Sequence, residues 1–358
     1  MTLVVGLNFS HKLYLAGDTR VTRDNGQSRQ YIENILKVVP LWGKEILDQK
    51  FFDNNSISLA VAGNVSLASY LYEKIRTALN NREISSDIRT FSEQILDLIQ
   101  KMVDIWLKDN PHANCALLFS GMVQDRHKRI SKQKLSELID LYNERVAQDK
   151  PSREKFIKEI LPNDPTWQAI DQKMRMEAGK SVVESLEEGD KPIISKWIQD
   201  AIDKNSDEIE MPDSLVLGIE IRTRAGVLKE EVAEWGEFIA YGASLTKDDL
   251  PKDLLAALEL SHVKDETKGP HLFEAALISQ SISDTAKKKG IQSIGGTVVL
   301  LTTLSNGKML IQGKDLKQQD GKFVLELYNR IVPLIPFHKF PKPTNANLEM
   351  GTVRAEIK

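Results

Sequence analysis

The run from Thr2 to Val65 leaves this chain few folds to choose from. Thr2 to Phe9 and Leu13 to Thr19 are each rich in β-branched and apolar residues, and they flank a Ser10-His11-Lys12 turn. That is the pattern of a β-hairpin. Folding back at the turn brings Thr2 opposite Asp18 or Thr19, the register depending on the turn type. Ile35 to Leu41 and Ile57 to Ala62 read as further strands, joined by the polar connection Trp42 to Ser56. Asn64 is a good N-cap for a helix carrying Leu67, Leu71, Ile75 and Leu79 at helical spacing. A second helix from about Asp87 to Lys108 carries the apolar stripe Ile88, Phe91, Ile95, Leu98, Met102 and Ile105. Pro111 ends that segment, and Cys115 to Phe119 resumes as a strand.

Sheet and helix then alternate a second time. Ser214 to Arg222 and Gly236 to Tyr241 read as strands, followed by helices at about Lys252 to Val263 and Leu272 to Lys289. Gly295 to Thr302 returns as a strand, and Ser305-Asn306-Gly307 turns it into Met309 to Gln312. Strands, two helices, strands, two helices and strands again suggest an α+β fold in which two antiparallel sheets pack together with helices outside, a four-layer αββα sandwich. Between these repeats, residues 122–212 are dense in Lys, Glu, Asp and Gln and read as a helical segment inserted between parts 1–121 and 213–331. Residues 332–358, with Pro333, Pro336, Pro341 and Pro343, read as an extended C-terminal arm outside the core.

The chemistry lies at the chain's beginning. Removal of Met1 ahead of a small Thr would leave Thr2 with both a hydroxyl nucleophile and a free α-amine. An α-amine has a reference pKa of about 7.7 to 8.0, so near neutral pH a fraction of it is able to take the hydroxyl proton. Such a site further needs a cation, an anion to hold that cation, and donors for an oxyanion. Asp18, Lys37 and the backbone around Gly63 are the candidates.

Taken together, Thr2, Gly17-Asp18-Thr19-Arg20, Lys37 and Ala60-Val-Ala-Gly63 resemble the proteasome β-subunit family of N-terminal nucleophile (Ntn) threonine hydrolases, including its bacterial proteasome-like members. The resemblance implies the αββα Ntn-hydrolase sandwich. It also implies Thr2 as nucleophile, Lys37 tuning it, Asp18 holding Lys37 and the Gly63 amide lining the oxyanion hole, while Arg20 falls where that family often carries Arg. Lys37 comes somewhat later than in the family, which a longer loop at Arg23 to Gln30 explains. Ser244, in Gly242-Ala243-Ser244, is the counterpart of a supporting Ser after a one-residue shift, as is Ser293, while Ile291 stands where the family has Asp.

Composition excludes several other classes. A net charge of −3 with interspersed signs points to no nucleic-acid or anionic-membrane partner. No run of about 18 apolar residues and no signal-peptide order are present, so a cytoplasmic protein is expected. The one cysteine, Cys115, sits in an apolar strand pattern and reads as a core thiol. The six His residues lack metal-ligand spacing, and no phosphate-loop or dinucleotide motif occurs, so neither a metal nor a cofactor is expected.

The expected function is a proteasome-like endopeptidase cleaving amide bonds through an acyl-enzyme. By resemblance it is a homo-oligomer, a ring or related assembly, that takes peptides or unfolded proteins, with an unfoldase or adaptor as a conceivable partner. Two alternatives stay open. One is an Ntn amidase or acyl-transfer enzyme for a small molecule, and the other is a noncatalytic scaffold that binds a partner through the inserted segment.

Overall fold

The structure, a computed structural model, describes residues 3–9, 12–24, 29–32, 35–43, 55–131, 208–224, 227–233, 237–242, 298–304, 307–311, 314–315, 317–319, 322–327 and 330–339, with short stretches between 133 and 184 and Gly290. The hairpin at its start is formed by β1 (Leu3–Phe9) and β2 (Lys12–Asp18), antiparallel, with Val4 opposite Gly17 and Phe9 opposite Lys12. Side chains from Leu3 to Asn8 and from Lys12 to Asp18 are buried on both faces, and each strand has a neighbour at either edge. On one flank β11 (Glu237–Gly242) pairs with β1, and on the other β12 (Val298–Leu304) pairs with β2. The sheet continues through β13 (Met309–Ile311) to β14 (Lys314–Asp315). Gly307, at a φ of 77°, takes the left-handed conformation that the turn into β13 requires.

A second antiparallel sheet lies against the first. Its strands are β6 (Val38–Trp42), β7 (Ser56–Gly63), β8 (Asn114–Ser131), β9 (Glu208–Arg222) and β10 (Val227–Ala233), in the order β10-β9-β8-β7-β6. Alternation along β8 sets its two faces. Leu118 points to the first sheet, where a Cβ on Gly6 would meet it at 3.8 Å and Val216 at 2.6 Å. Phe119 and Gly121 point the other way, towards two helices, and a Cβ on Gly121 would meet Ile88 at 2.7 Å. Shorter pairings complete the description: β3 (Val21–Asp24) with β4 (Arg29–Ile32), and β15 (Lys317–Gln319), β16 (Lys322–Leu327), β17 (Arg330–Pro336) and β5 (Ile35–Leu36) in one small sheet.

The helices start where local chemistry says they should. Asn64 caps α1 (Val65–Asn80) by accepting from the Leu67 amide at 2.9 Å, and Asp87 caps α2 (Ile88–Asp109) by accepting from the Arg89 and Thr90 amides. Leu67, Leu71, Ile75 and Leu79 are buried, each contributing on the order of 1.5–3 kcal/mol of apolar burial. The stripe on α2 differs from the expected one. Ile99 and Val103 are buried, whereas Leu98 is only partly covered and Ile105 is 55% exposed. A helix of 3.6 residues per turn rotates such a repeat off the contact line within a few turns.

The described part of the molecule is thus a mixed α+β fold of several antiparallel sheets, two of them face to face with α1 and α2 over one. The second helical pair expected at 252–263 and 272–289, and the Gly295-Gly296 approach to β12, lie outside the described residues. Residues 122–131 and 208–212, assigned to the inserted segment on composition, have strand backbone. There β8 and β9 run on as a ribbon to Ser131 opposite Glu208, after a register shift between Val123 and His127. Within the tail, Leu334 and Phe337 are buried in the core, so the arm does not run wholly outside it. Among the described residues, no helix is long and apolar enough to cross a membrane.

A polar clamp joins the two sheets. Asn8, fully buried, donates through Nδ2 to the carbonyls of Ser214 and Ala233 at 3.1 and 3.2 Å and accepts from Ser214 Oγ at 2.8 Å. Asn8→Ala removes three buried hydrogen bonds and should cost about 1–3 kcal/mol, read as a lower urea midpoint at unchanged slope.

Candidate active site

Asp18 ends β2 and Lys37 links β5 to β6, and both are almost wholly buried, at 1% and 2% exposure. Lys37 Nζ lies 3.0 Å from Asp18 Oδ1 and also donates to the backbone carbonyl of Arg20. The same Asp18 oxygen accepts from the amide of Leu3 at 3.1 Å, and Oδ2 accepts from the amide of Arg20 at 3.2 Å. Two strand ends and the segment before β6 therefore converge on one carboxylate. The Leu3 nitrogen and the Lys37 ammonium bind a common oxygen, so they lie within about 6 Å of each other.

The backbone around Lys37 is tied down on both sides. The Ile35 amide donates to Thr19 O and the Val61 amide donates to Lys37 O, each at 3.0 Å. This second bond sets the position of Gly63, two residues beyond Val61 on β7 and so about 7 Å further along the strand. Gly63 is exposed and has a φ of 91°, and a Cβ there would meet Asn114 O at 2.4 Å. Only glycine fits that close approach.

The structure thus brings together Asp18, Lys37 and Arg20 and places Gly63 on the neighbouring strand. Thr2 and Ser244 lie outside the described residues, as does Ser293. Arg20 takes part through its main chain, both as donor to Asp18 and as acceptor from Lys37, while its guanidinium sits 5.2 Å over the Tyr31 ring. Sequence reading did not single out the Leu3 amide or the Thr19 carbonyl, because backbone groups leave no signature in residue type. Cys115 is 3% exposed, and burial pushes its thiol up to about 12, which suits a core residue and not a nucleophile. Among the described residues, no group of three or more His, Cys, Asp or Glu is placed to hold a metal ion. A cavity of about 450 Å³ lies elsewhere, beside Ile157, Gln168, Asp171 and Arg175, and none of the residues expected in the site lines it.

No protein-family model matches the chain, and no curated protein matches it. Solved structures to which it is similar include the Gly-1 mutant of Anbu from Hyphomicrobium sp. strain MC1, at 13% identity over 89% of this chain and 85% of that one, with a TM-score of 0.41. Anbu (ancestral beta-subunit) from Yersinia bercovieri matches at 10% identity over 87% and 82%, with a TM-score of 0.38. A structure described as the helical assembly of the Anbu complex from Pseudomonas aeruginosa matches at 10% over 89% and 88%, with a TM-score of 0.43. These findings correct the assignment to proteasome β-subunits made from the N-terminal motifs: no family model matches, and the similar structures bear the name of a distinct family, Anbu. Short Gly, Asp and Lys motifs at strand ends report a local arrangement and do not separate one family from another that shares it. The chemistry rests on this chain's own geometry.

A buried ion pair of this kind is asymmetric in its energetics. Removing one partner leaves an uncompensated charge, so Lys37→Met should lower stability by about 3–5 kcal/mol. The double variant Lys37→Met, Asp18→Asn should recover most of that loss, since Asn keeps an acceptor for the Leu3 amide without a buried charge. Urea unfolding of the four proteins in the cycle measures the coupling.

Proposed function

We propose that this chain is an N-terminal threonine hydrolase that cleaves amide bonds through an acyl-enzyme, with Thr2 as the nucleophile once Met1 is removed. The observation that supports it is the Leu3 amide bound to the Asp18 oxygen that also binds Lys37, since the residue joined to that amide nitrogen is Thr2. In the proposed reaction Thr2 Oγ attacks the substrate carbonyl carbon and its proton passes to the α-amine. The tetrahedral adduct collapses, the carbon–nitrogen bond breaks, and the amine returns the proton to the leaving nitrogen. An ester to Thr2 remains. Water then adds to the ester with the amine as base, releasing the acid and restoring the hydroxyl. The Lys37 ammonium brings positive charge to the nucleophile, and the Gly63 amide serves as donor to the oxyanion.

The proposed fold behind this site is the four-layer αββα sandwich, its fourth layer being the helices read at 252–289. Peptides or unfolded chains are the proposed substrates and a homo-oligomer enclosing the site the proposed assembly, which light scattering on the purified protein tests.

An electrophile that reacts with both the hydroxyl and the amine of an N-terminal Thr, followed by mass mapping, tests the assignment directly. The expected result is a single adduct on a peptide starting at Thr2, absent in Thr2→Ala. Hydrolysis of a peptide reporter should fall about a thousandfold or more in Thr2→Ala, and about a hundredfold or more in Lys37→Met. A retained Met1, or full hydrolysis by Thr2→Ala, would favour a noncatalytic scaffold. Turnover of small amides without turnover of peptides would point to an amidase.

A further inference from the structure

The segment that carries Lys37 is held by a strand from the far end of the chain. β17 pairs in parallel with β5, Ile335 beside Ile35 and Pro336 beside Leu36, and the next residue after that pairing is Lys37. What fixes β17 in turn is the short 3₁₀ turn that follows it, Phe337–Lys339. Phe337 is fully buried, edge-on to Tyr72 of α1 with ring centroids 5.6 Å apart, and its carbonyl accepts from Ser69 Oγ at 3.2 Å. His338 stacks on the same Tyr72 ring, 4.2 Å away at an interplanar angle of 15°, and lies edge-on to Phe337 with centroids 5.5 Å apart. Two consecutive side chains thus form one three-ring cluster with an aromatic ring of α1.

We propose that residues 334–338 act as a clamp on Lys37, with Phe337 and His338 as positioning residues that seat β17 against β5 and so fix the backbone immediately before the ammonium. The clamp rests on the reading of Lys37 as a site residue. Its mechanical logic follows from the length of the pairing. β5 has two residues, too few to hold their own line, and its fixed points are Thr19 on one side and β17 on the other. Withdrawing Phe337 would leave a void beneath α1 and free β17 to leave β5.

We infer that the same turn also works as an acid-sensitive latch. Among the described residues His338 Nδ1 is buried without a hydrogen-bond partner, and the charged groups facing the ring are Arg76 from α1 and Lys339 from its own turn, while Glu73 acts on Tyr72 from the same helix. Burial, followed by the two cations, lowers the imidazole from its ordinary value to about 4. The seated form is therefore neutral. Between about pH 6.5 and pH 4 the unfolded segment binds a proton that the seated one does not, so the grip is complete above that window and is lost as pH falls through it.

Amide hydrogen exchange on the full-length protein tests both parts without calling on activity. In Phe337→Ala, exchange at the Ile35 and Val61 amides should speed about tenfold or more relative to Leu118 and Leu217 in β8 and β9, while Phe337→Leu, which keeps most of the apolar volume, should restore near wild-type protection. Equal acceleration across all four amides, or none, would overturn the clamp. In the wild type the Ile35 amide should lose protection as pH drops from 6.5 towards 4.5, after correction for intrinsic exchange, and His338→Phe should abolish that loss. An unchanged loss in His338→Phe would overturn the latch. Failure of wild-type protein to take an electrophile at Thr2 would count against the hydrolase reading alone, since the exchange results stand apart from it.

Discussion

One carboxylate organises this molecule. Asp18 takes hydrogen bonds from the first described residue of the chain, from the residue two places after it, and from a lysine on the next strand segment. In a site that excludes water a charge of either sign is costly alone and acceptable only when paired and fully bonded. The burial of Asp18 and Lys37 therefore forces three pieces of chain to meet at one point. The start of β1 and the Lys37 ammonium then share one carboxylate oxygen, and the strand that ends at Gly63 is tied to Lys37 through the Val61 amide. The proposed N-terminal nucleophile is argued from that arrangement.

The rest of the fold serves to keep the meeting point in place. β1 and β2 are central strands buried on both faces, so the hairpin cannot slip by one residue without turning its apolar side chains to the wrong layer. β7 is fixed between β6 and β8, and its bond from Val61 to Lys37 transmits that register to the lysine. On the remaining side the constraint comes from the C-terminal strand and its hook under α1. The packing of a helix far from the carboxylate thereby bears on where the ammonium sits.

Much of this was legible in the residues themselves. The hairpin, the Asn64 cap, the helix start near Asp87 and the strands at Ile57 to Ala62 and Cys115 to Phe119 follow from patterns a few residues long, in which polarity and spacing map directly onto geometry. Asp18 and Lys37 were candidates because a Thr nucleophile needs a cation and an anion to hold it, and because both fall in the set that carries the family resemblance. Other features were hidden for identifiable physical causes. The stripe on α2 was misplaced at Leu98 and Ile105 because a repeat of slightly wrong period drifts with length. Arg20 was named because the resembled family often carries Arg there, yet its peptide groups bind Asp18 and Lys37, and peptide groups are the same in every residue.

Sequence alone determined the local elements: strands with two apolar faces, helix starts set by one Asn and one Asp, and a Thr followed by a hairpin whose far end carries Asp18. Only the tertiary structure decided that the Leu3 amide and Lys37 share one oxygen, that Gly63 lies against Asn114, and that Phe337, from a tail rich in proline, is core. The reason is distance along the chain. Capping and alternation are settled within a turn or a strand, whereas a buried ion pair and a hook under a helix exist only after remote segments have been brought together by the packing of the two sheets.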